Sequence, residues 1–253
     1  MAINTNAFSN VGSRRIAEKK GAYSVLEYTK DVSVSTLNAE TAYFAAKMNV
    51  RKKQVLVNLS NGNSVITQAG AMQMIYGDIK AATDIKGATD LAKKMFASKA
   101  TGESAIKPKY TGTGILVLEP TYKHILLEEI ETWNGGIVID DGLFLACDGN
   151  VNISTVMRSN LSSAALGGEG LFNTCLAGTG IAVLESPVPR EELIEINLEN
   201  DVVKIDGNYA IAWSKTLQFS VEKTTKSLIG SAASGEGLVN VYRGTGKILV
   251  APV

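Results

Sequence analysis

Short apolar runs separated by glycine and polar residues make up most of the chain from residue 54 onward. Apolar and polar residues alternate over residues 193–198 and 217–221, which is typical of strands with one buried face. Other runs are rich in β-branched residues and stop just before a glycine, at Gly70, Gly142 and Gly207. The pattern predicts an all-β chain of many short strands joined by tight turns.

The same pattern occurs three times at a nearly constant spacing. Gly-Glu pairs recur 66 and 67 residues apart, at Gly102-Glu103, Gly168-Glu169 and Gly235-Glu236. Gly-Thr-Gly triplets recur 66 residues apart, bounded by Gly112 and Gly114, by Gly178 and Gly180, and by Gly244 and Gly246. A fixed period indicates one structural unit that has been copied and stacked.

The period divides the chain into three β repeats, residues 54–120, 124–186 and 193–252, which we expect to form one compact unit. The first repeat carries extra residues, and we predict a short helical insertion near 88–97 with an N-cap at Thr89 or Asp90. Residues 1–53 form an N-terminal extension with some strand. We predict strands near 22–28 and 32–36 and a helix around 39–48.

These glycine motifs resemble those of the bacterial branch of the family named altered inheritance of mitochondria, number twenty-four. The resemblance rests on residues 102–108, on 168–172 with 187–194, and on 234–246, and it covers most of residues 20–252. It implies a fold similar to that of the trp RNA-binding attenuation protein. The units would be double-stranded β-helix, or jelly-roll-like, sandwich repeats about a pseudo-threefold axis, and the chain would form trimers. Eukaryotic members are tied to mitochondrial organisation, and the resemblance carries no established activity for the bacterial ones.

The formal net charge is zero, but its two halves differ. Residues 1–126 carry 17 Lys and Arg against 9 Asp and Glu, and residues 127–253 carry 8 against 16. The basic half indicates either an anionic partner or neutralisation by the acidic half within the fold or across an oligomer. We favour neutralisation, because the whole protein has no net charge to attract polyanions.

The cysteines and the apolar runs of the sequence indicate where in the cell the protein is located. Cys147 and Cys175 show no C-x-x-C spacing, so we expect two buried free thiols, with a structural disulfide as the alternative. Residues 54–77 carry no charge, but asparagine, serine and glycine interrupt them. We therefore predict no membrane span, no secretory signal and a cytoplasmic protein.

The repeated acids and glycines are the first candidates for chemistry. Glu103, Glu169 and Glu236 could bind a hard cation on the pseudo-threefold axis, but we favour caps on backbone N–H groups in their own turns. A phosphate cradle would need a helix after the Gly-Thr-Gly triplet; an apolar strand follows instead, so we predict hairpin turns. Twelve residues are thus assigned as structural turn residues: Gly102, Glu103, Gly112, Gly114, Gly168, Glu169, Gly178, Gly180, Gly235, Glu236, Gly244 and Gly246.

The remaining titratable residues offer no catalytic group. His124 is the only histidine, which excludes sites built from several histidines, and we expect it at the surface or hydrogen-bonded. The pairs Glu128-Glu129 and Asp140-Asp141 are expected to be solvated charge on strand edges. We assign no catalytic, cofactor-binding or metal-binding residue.

An RNA-binding surface needs cationic side chains beside stacking aromatic rings. Of the basic segments of the chain, residues 107–110, which end in Tyr110, come nearest to this composition. Our preferred hypothesis is a non-enzymatic, oligomeric β protein, a homotrimer that acts as an interaction or structural module. The first alternative is RNA or polyanion binding through the basic first repeat. The second is a small-molecule-binding or metal-binding jelly roll.

Overall fold

The computed structural model describes residues 5–60, 62–83, 107–157, 172–223 and 238–252. Within these ranges the chain is mostly β-sheet and contains one short α-helix, so the prediction of a β protein is confirmed. Every pair of neighbouring strands is antiparallel, as hairpins and meanders require. No helix among the described residues is long and apolar enough to cross a membrane.

In chain order the described strands are β1 (Arg14–Lys20), β2 (Tyr23–Tyr28), β3 (Lys53–Leu59), β4 (Ser64–Thr67), β5 (Met72–Ala82), β6 (Lys109–Leu118), β7 (His124–Glu129), β8 (Ile137–Ile139), β9 (Phe144–Asp148), β10 (Asn152–Met157), β11 (Phe172–Ala177), β12 (Ile181–Ser186), β13 (Ile194–Asp206), β14 (Ala210–Ser214), β15 (Gln218–Lys223) and β16 (Leu238–Val250). The helix α1 spans Ala39–Lys47, and 3₁₀ turns span Thr36–Asn38 and Ile130–Thr132.

The strands form two sheets. In the first sheet the order is β1-β2-β3-β6-β4-β9-β12-β7, and β5 also pairs with β6. In the second sheet the order is β10-β11-β8-β14-β16-β13, and β15 also pairs with β16. The core between and around them is aliphatic, with Trp133 as its largest fully buried side chain. Burial of such side chains is the main favourable term in folding.

None of the three Gly-Thr-Gly triplets forms a hairpin turn, so that prediction is wrong. Gly244 and Gly246 lie inside the continuous strand β16, and Gly178 and Gly180 lie in the bend between β11 and β12, which belong to different sheets. Gly112 and Gly114 lie inside the continuous strand β6, which runs past them beside β5 without reversing. A Cβ on Gly114 would lie 2.0 Å from the backbone oxygen of Tyr76. Glycine at these positions therefore lets β5 approach β6 closely, a common use of glycine inside a strand.

A central strand with partners on both edges occurs in each sequence repeat. In the first repeat β6 lies between β3 and β5, and in the second β12 lies between β7 and β9. In the third, β16 lies between β13 and β14. A bulge of the same kind interrupts the pairing of each central strand with β5, β9 or β14. In each case one residue of β5, β9 or β14 is skipped and has no partner on the central strand.

Two strand pairs link successive sequence repeats. β4 of the first repeat pairs with β9 of the second, and β8 of the second pairs with β14 of the third. Among the described strands no pair links the third repeat to the first. The pseudo-threefold arrangement therefore stays a prediction, and so do the unit boundaries.

The N-terminal extension matches the expectations in part. β2 and α1 confirm the predicted strand near 22–28 and the predicted helix around 39–48. The strand predicted at 32–36 is wrong, because the Asp31 carboxylate accepts hydrogen bonds from the Ser33 amide and hydroxyl and holds a turn. The charged strand β1 was not predicted; it pairs with β2 at the edge of the first sheet. The insertion predicted at 88–97 lies outside the described residues.

Candidate functional site

A polar cleft collects several titratable side chains. It has a volume of about 560 Å³ and lies where the N-terminal extension meets the start of β7 and the 187–192 segment. Its basic wall is formed by Arg15, Arg51 and Lys53, and its acidic rim by Glu191 and Glu192. The walls are thus opposite in charge, which suits a ligand with both signs more than a polyanion.

Glu27 organises the basic wall. Its Oε1 accepts a hydrogen bond from Arg15 Nε at 3.2 Å and another from Arg51 Nη1 at 3.3 Å. Arg51 Nη2 also donates to Asn49 Oδ1 at 3.0 Å. These bonds fix both guanidinium groups around one buried carboxylate, which compensates part of its desolvation.

His124 and Lys53 have perturbed pKa values in this cleft. Burial lowers the pKa of Lys53, and its Nζ donates to the Arg51 carbonyl oxygen at 3.1 Å. Burial also lowers the pKa of His124, and the Lys53 charge adds to this, while Glu192, Glu27 and Glu191 act in the opposite direction. The imidazole is therefore neutral at pH 7. Sequence reasoning missed the cleft because its residues come from five separate segments of the chain.

The two acidic pairs differ from the sequence expectation in part. Asp140 and Asp141 are half-buried and follow the end of β8, and Asp140 Oδ1 accepts a hydrogen bond from Asn173 Nδ2 at 3.2 Å. Glu128 is buried rather than solvated: its carboxylate accepts from Trp133 Nε1 at 3.2 Å and from Arg190 Nε at 3.1 Å. Its neighbour Glu129 is exposed, as expected. Alternation along β7 directs one acid of the pair inward, and the indole donor makes that burial tolerable.

The repeated Glu103, Glu169 and Glu236 and the glycines before them, Gly102, Gly168 and Gly235, lie outside the described residues. Their assignment as turn residues stays a prediction. Among the residues that are described, no group of three His, Cys, Asp or Glu side chains could hold a metal ion.

The two cysteines are buried free thiols, as predicted. Burial and the neighbouring Asp148 charge raise the pKa of Cys147 to about 12, and burial raises that of Cys175. A thiolate is the reactive form of cysteine, so neither side chain is an active nucleophile at neutral pH.

The basic segment 107–110 does not present an aromatic ring to solvent. Tyr110 is buried. Lys107 Nζ donates to Gln68 Oε1 at 3.1 Å and lies 4.3 Å from the Phe144 ring centroid, while Lys109 Nζ donates to the Gly149 carbonyl oxygen at 2.8 Å. The segment therefore lacks the stacking platform that single-stranded nucleic acid binding uses.

Exposed apolar side chains mark two strand edges instead. Met72 and Met74 project from β5, and Val202 projects from β13. β5 pairs only with β6 among the described residues, and β13 is the last strand of its sheet. Open edges of this kind offer unpaired N–H and C=O groups to another strand.

Comparison with known proteins places these features in a family. A family model described as mitochondrial biogenesis AIM24 matches residues 46–253. An uncharacterized protein of Streptococcus pyogenes serotype M6 is 29% identical over 203 residues, which cover 78% of this chain and 79% of the relative. The crystal structure of a Streptococcus pyogenes protein superposes with a TM-score of 0.59 at 26% identity, covering 80% of this chain and 88% of that one.

Proposed function

The chain belongs to the mitochondrial biogenesis AIM24 family, and on this basis we propose that it is a non-enzymatic, homo-oligomeric β-sheet module that acts by assembly. The observation that carries the proposal is the outer edge of β5, with which no described strand pairs. Met72 and Met74 are exposed there, whereas β9 and β14, in the same position of the other two sequence repeats, are buried. Soluble monomers seldom leave a long apolar edge strand uncovered.

We infer that each sequence repeat is one jelly-roll-like unit. The inference is supported by the recurrence of a central strand with partners on both edges, β6, β12 and β16, and of the same skipped residue beside it. A pseudo-threefold axis would bring the third unit against the first. The likeness to the trp RNA-binding attenuation protein remains a prediction.

The absence of enzymatic activity is proposed on chemical grounds. Both thiols have raised pKa values, and His124 is the single histidine of the chain. Nucleophilic catalysis needs a nucleophile activated by a neighbouring base or by a lowered pKa. The cysteines meet neither condition. A cytoplasmic location also belongs to this proposal.

Measurement of the mass in solution tests the proposal. We expect light scattering after size exclusion to give three times the 26.8 kDa chain mass at modest salt. If the basic first half of one chain faces the acidic second half of the next, the trimer should weaken at high salt, because surface charges are screened. A single-chain mass at every concentration would refute the proposal, and a salt-indifferent trimer would remove only the charge pairing.

A further inference from the structure

Two junctions between successive sequence repeats share one geometry. In the first, Thr67 of β4 lies opposite Ala146 of β9, and in the second, Ile139 of β8 lies opposite Ala212 of β14. All four side chains are fully buried, with 0% exposure. Both pairs are antiparallel, so each junction extends a sheet from one repeat into the next.

The same backbone hydrogen bonds flank both junctions. On one side Gln68 N donates to the Leu145 oxygen at 2.8 Å, and in the second junction Asp140 N donates to the Ile211 oxygen at 2.9 Å. On the other side Gly149 N donates to the Ser64 oxygen at 2.7 Å, and Lys215 N donates to the Gly136 oxygen at 2.9 Å. The register is therefore identical in the two junctions.

The third repeat carries, in its first strand β13, half of such a junction with no partner among the described strands. In each repeat, the residue two positions before the first glycine of the triplet has one partner on β4, β8 or β13. These partners are, in repeat order, Val65, Ile137 and Val203. The residues two positions after these partners are Thr67, Ile139 and Ile205. Ile205 of β13 is therefore the counterpart of the two junction residues Thr67 and Ile139. No described strand pairs with this edge of β13.

The first repeat carries the other half in β5. In each repeat, the residue three positions after the second glycine of the triplet has one partner on β5, β9 or β14. These partners are, in repeat order, Met74, Ala146 and Ala212. Met74 of β5 is thus the counterpart of the two buried alanines, yet it is 38% exposed. The chain therefore carries both halves of a third junction, one at each end of its row of repeats.

We propose that the β13 edge of one copy pairs with the β5 edge of a second copy in the register of the two internal junctions. Ile205 then lies opposite the partner's Met74, and Val203 lies opposite the partner's Tyr76. The flanking hydrogen bonds run from Asp206 N to the partner's Gln73 oxygen and from the partner's Gly77 N to the Val202 oxygen. The inference rests on the proposed assembly and names the surface that makes it.

A second copy of this chain is the occupant that the geometry favours. Each half of the junction has its complement on the same sequence, and two examples of the complete junction already exist within the chain. The contact is heterologous, head to tail, so it closes into a ring when the rotation between copies permits. The side chains suit a dry junction, because Ile205 and Met74 are both apolar.

Cysteine pairs test the register between chains. Two differently tagged single variants, Met74→Cys and Ile205→Cys, are co-expressed and oxidised, with Met74→Cys and Val202→Cys as the matched control. The native thiols are buried. We expect a reducible two-chain band from the first pair. The control pair should give none, because a three-residue offset is about 10 Å along a strand and a disulfide needs Cα atoms closer than about 7 Å.

A charge at the edge tests the same contact without a cysteine. Met74→Glu changes a side chain that is exposed in the single chain, so it should fold with an unchanged melting temperature of the monomer but lose the multi-chain mass. Leu37→Glu, a control at a highly exposed site outside the junction, should keep the mass.

The outcomes separate the junction from the assembly. Oligomers that form no 74–205 cross-link, or that withstand Met74→Glu, would overturn the junction and leave the proposed assembly intact. A double variant carrying both cysteines that cross-links within one chain would show closure of the chain on itself, and this too overturns the junction. A wild-type protein that is a single chain at all concentrations would overturn both.

Discussion

Replacement of Tyr23 by phenylalanine removes one partly buried hydrogen bond that ties the N-terminal extension to the second repeat. Tyr23 Oη donates to Asp148 Oδ1 at 2.9 Å, and the other carboxylate oxygen accepts from Ile181 N at 2.9 Å. Burial, and then the Asp148 charge, raise the pKa of Tyr23, so its hydroxyl remains protonated and donates at every working pH.

The expected loss follows from the charge of the acceptor and from burial. Tyr23 is 1% exposed, so the phenyl ring keeps its packing while one carboxylate oxygen loses its donor. A hydrogen bond to a charged group contributes about 1.5–3 kcal/mol. With a denaturant slope of about 2 kcal/mol/M in urea, Tyr23→Phe should lower the midpoint of unfolding by about 1 M.

Urea unfolding at fixed protein concentration measures this loss, with Tyr122→Phe as the matched control. Tyr122 Oη also donates to a carboxylate, Asp31 Oδ2, at 3.3 Å, but this side chain is 54% exposed. The control should change the free energy of unfolding by less than about 0.5 kcal/mol. Equal losses in the two variants would refute the argument that burial gives the Tyr23 bond its strength.

Two further predictions concern the glycines Gly112 and Gly178 and the polar cleft. In urea unfolding, Gly112→Ala should destabilise the protein more than Gly178→Ala, by about 1–3 kcal/mol. Both glycines have a positive φ, but of the two only Gly112 would bring a Cβ against backbone, 2.1 Å from the Asp78 oxygen. Equal losses would show that φ alone requires glycine. Because the pKa of His124 is lowered in the folded state, its stabilising contribution is present above the unfolded value of about 6.5 and is lost as pH falls toward the folded one. The melting temperature of His124→Gln should therefore fall less than that of the wild type between pH 7 and pH 5, and parallel curves would contradict this.

Local pattern was enough to predict the β class and several of its elements. Residues 193–198 alternate and form the first part of β13, and residues 39–48 contain α1. The free, buried state of Cys147 and Cys175 also followed from their spacing. These features depend on neighbours in sequence, and period and spacing carry that information.

The failures involve contacts between distant segments. Gly112 and Gly114 were interpreted as a hairpin because glycine marks turns, but here glycine is needed for the close approach of β5, which the sequence of β6 does not contain. Glu128 was expected in solvent, but a Trp133 donor and an Arg190 donor hold it inside. The polar cleft combines five separate segments, and no local signal joins Arg15 to His124.

The row of repeats explains why the two ends differ in composition from the interior. The three sequence repeats make two internal junctions and leave half of a junction in β5 and half in β13. The internal halves are small or β-branched, such as Ala146 and Ile139, and are fully buried. At the free ends Met74 replaces alanine, and Lys204 stands where the internal strands carry Ile66 and Val138. A lysine on an edge strand discourages indiscriminate pairing, and its aliphatic stem can still cover apolar surface once a partner is present. The end strands are thus suited to remain soluble as a single chain and to pair with one complementary edge.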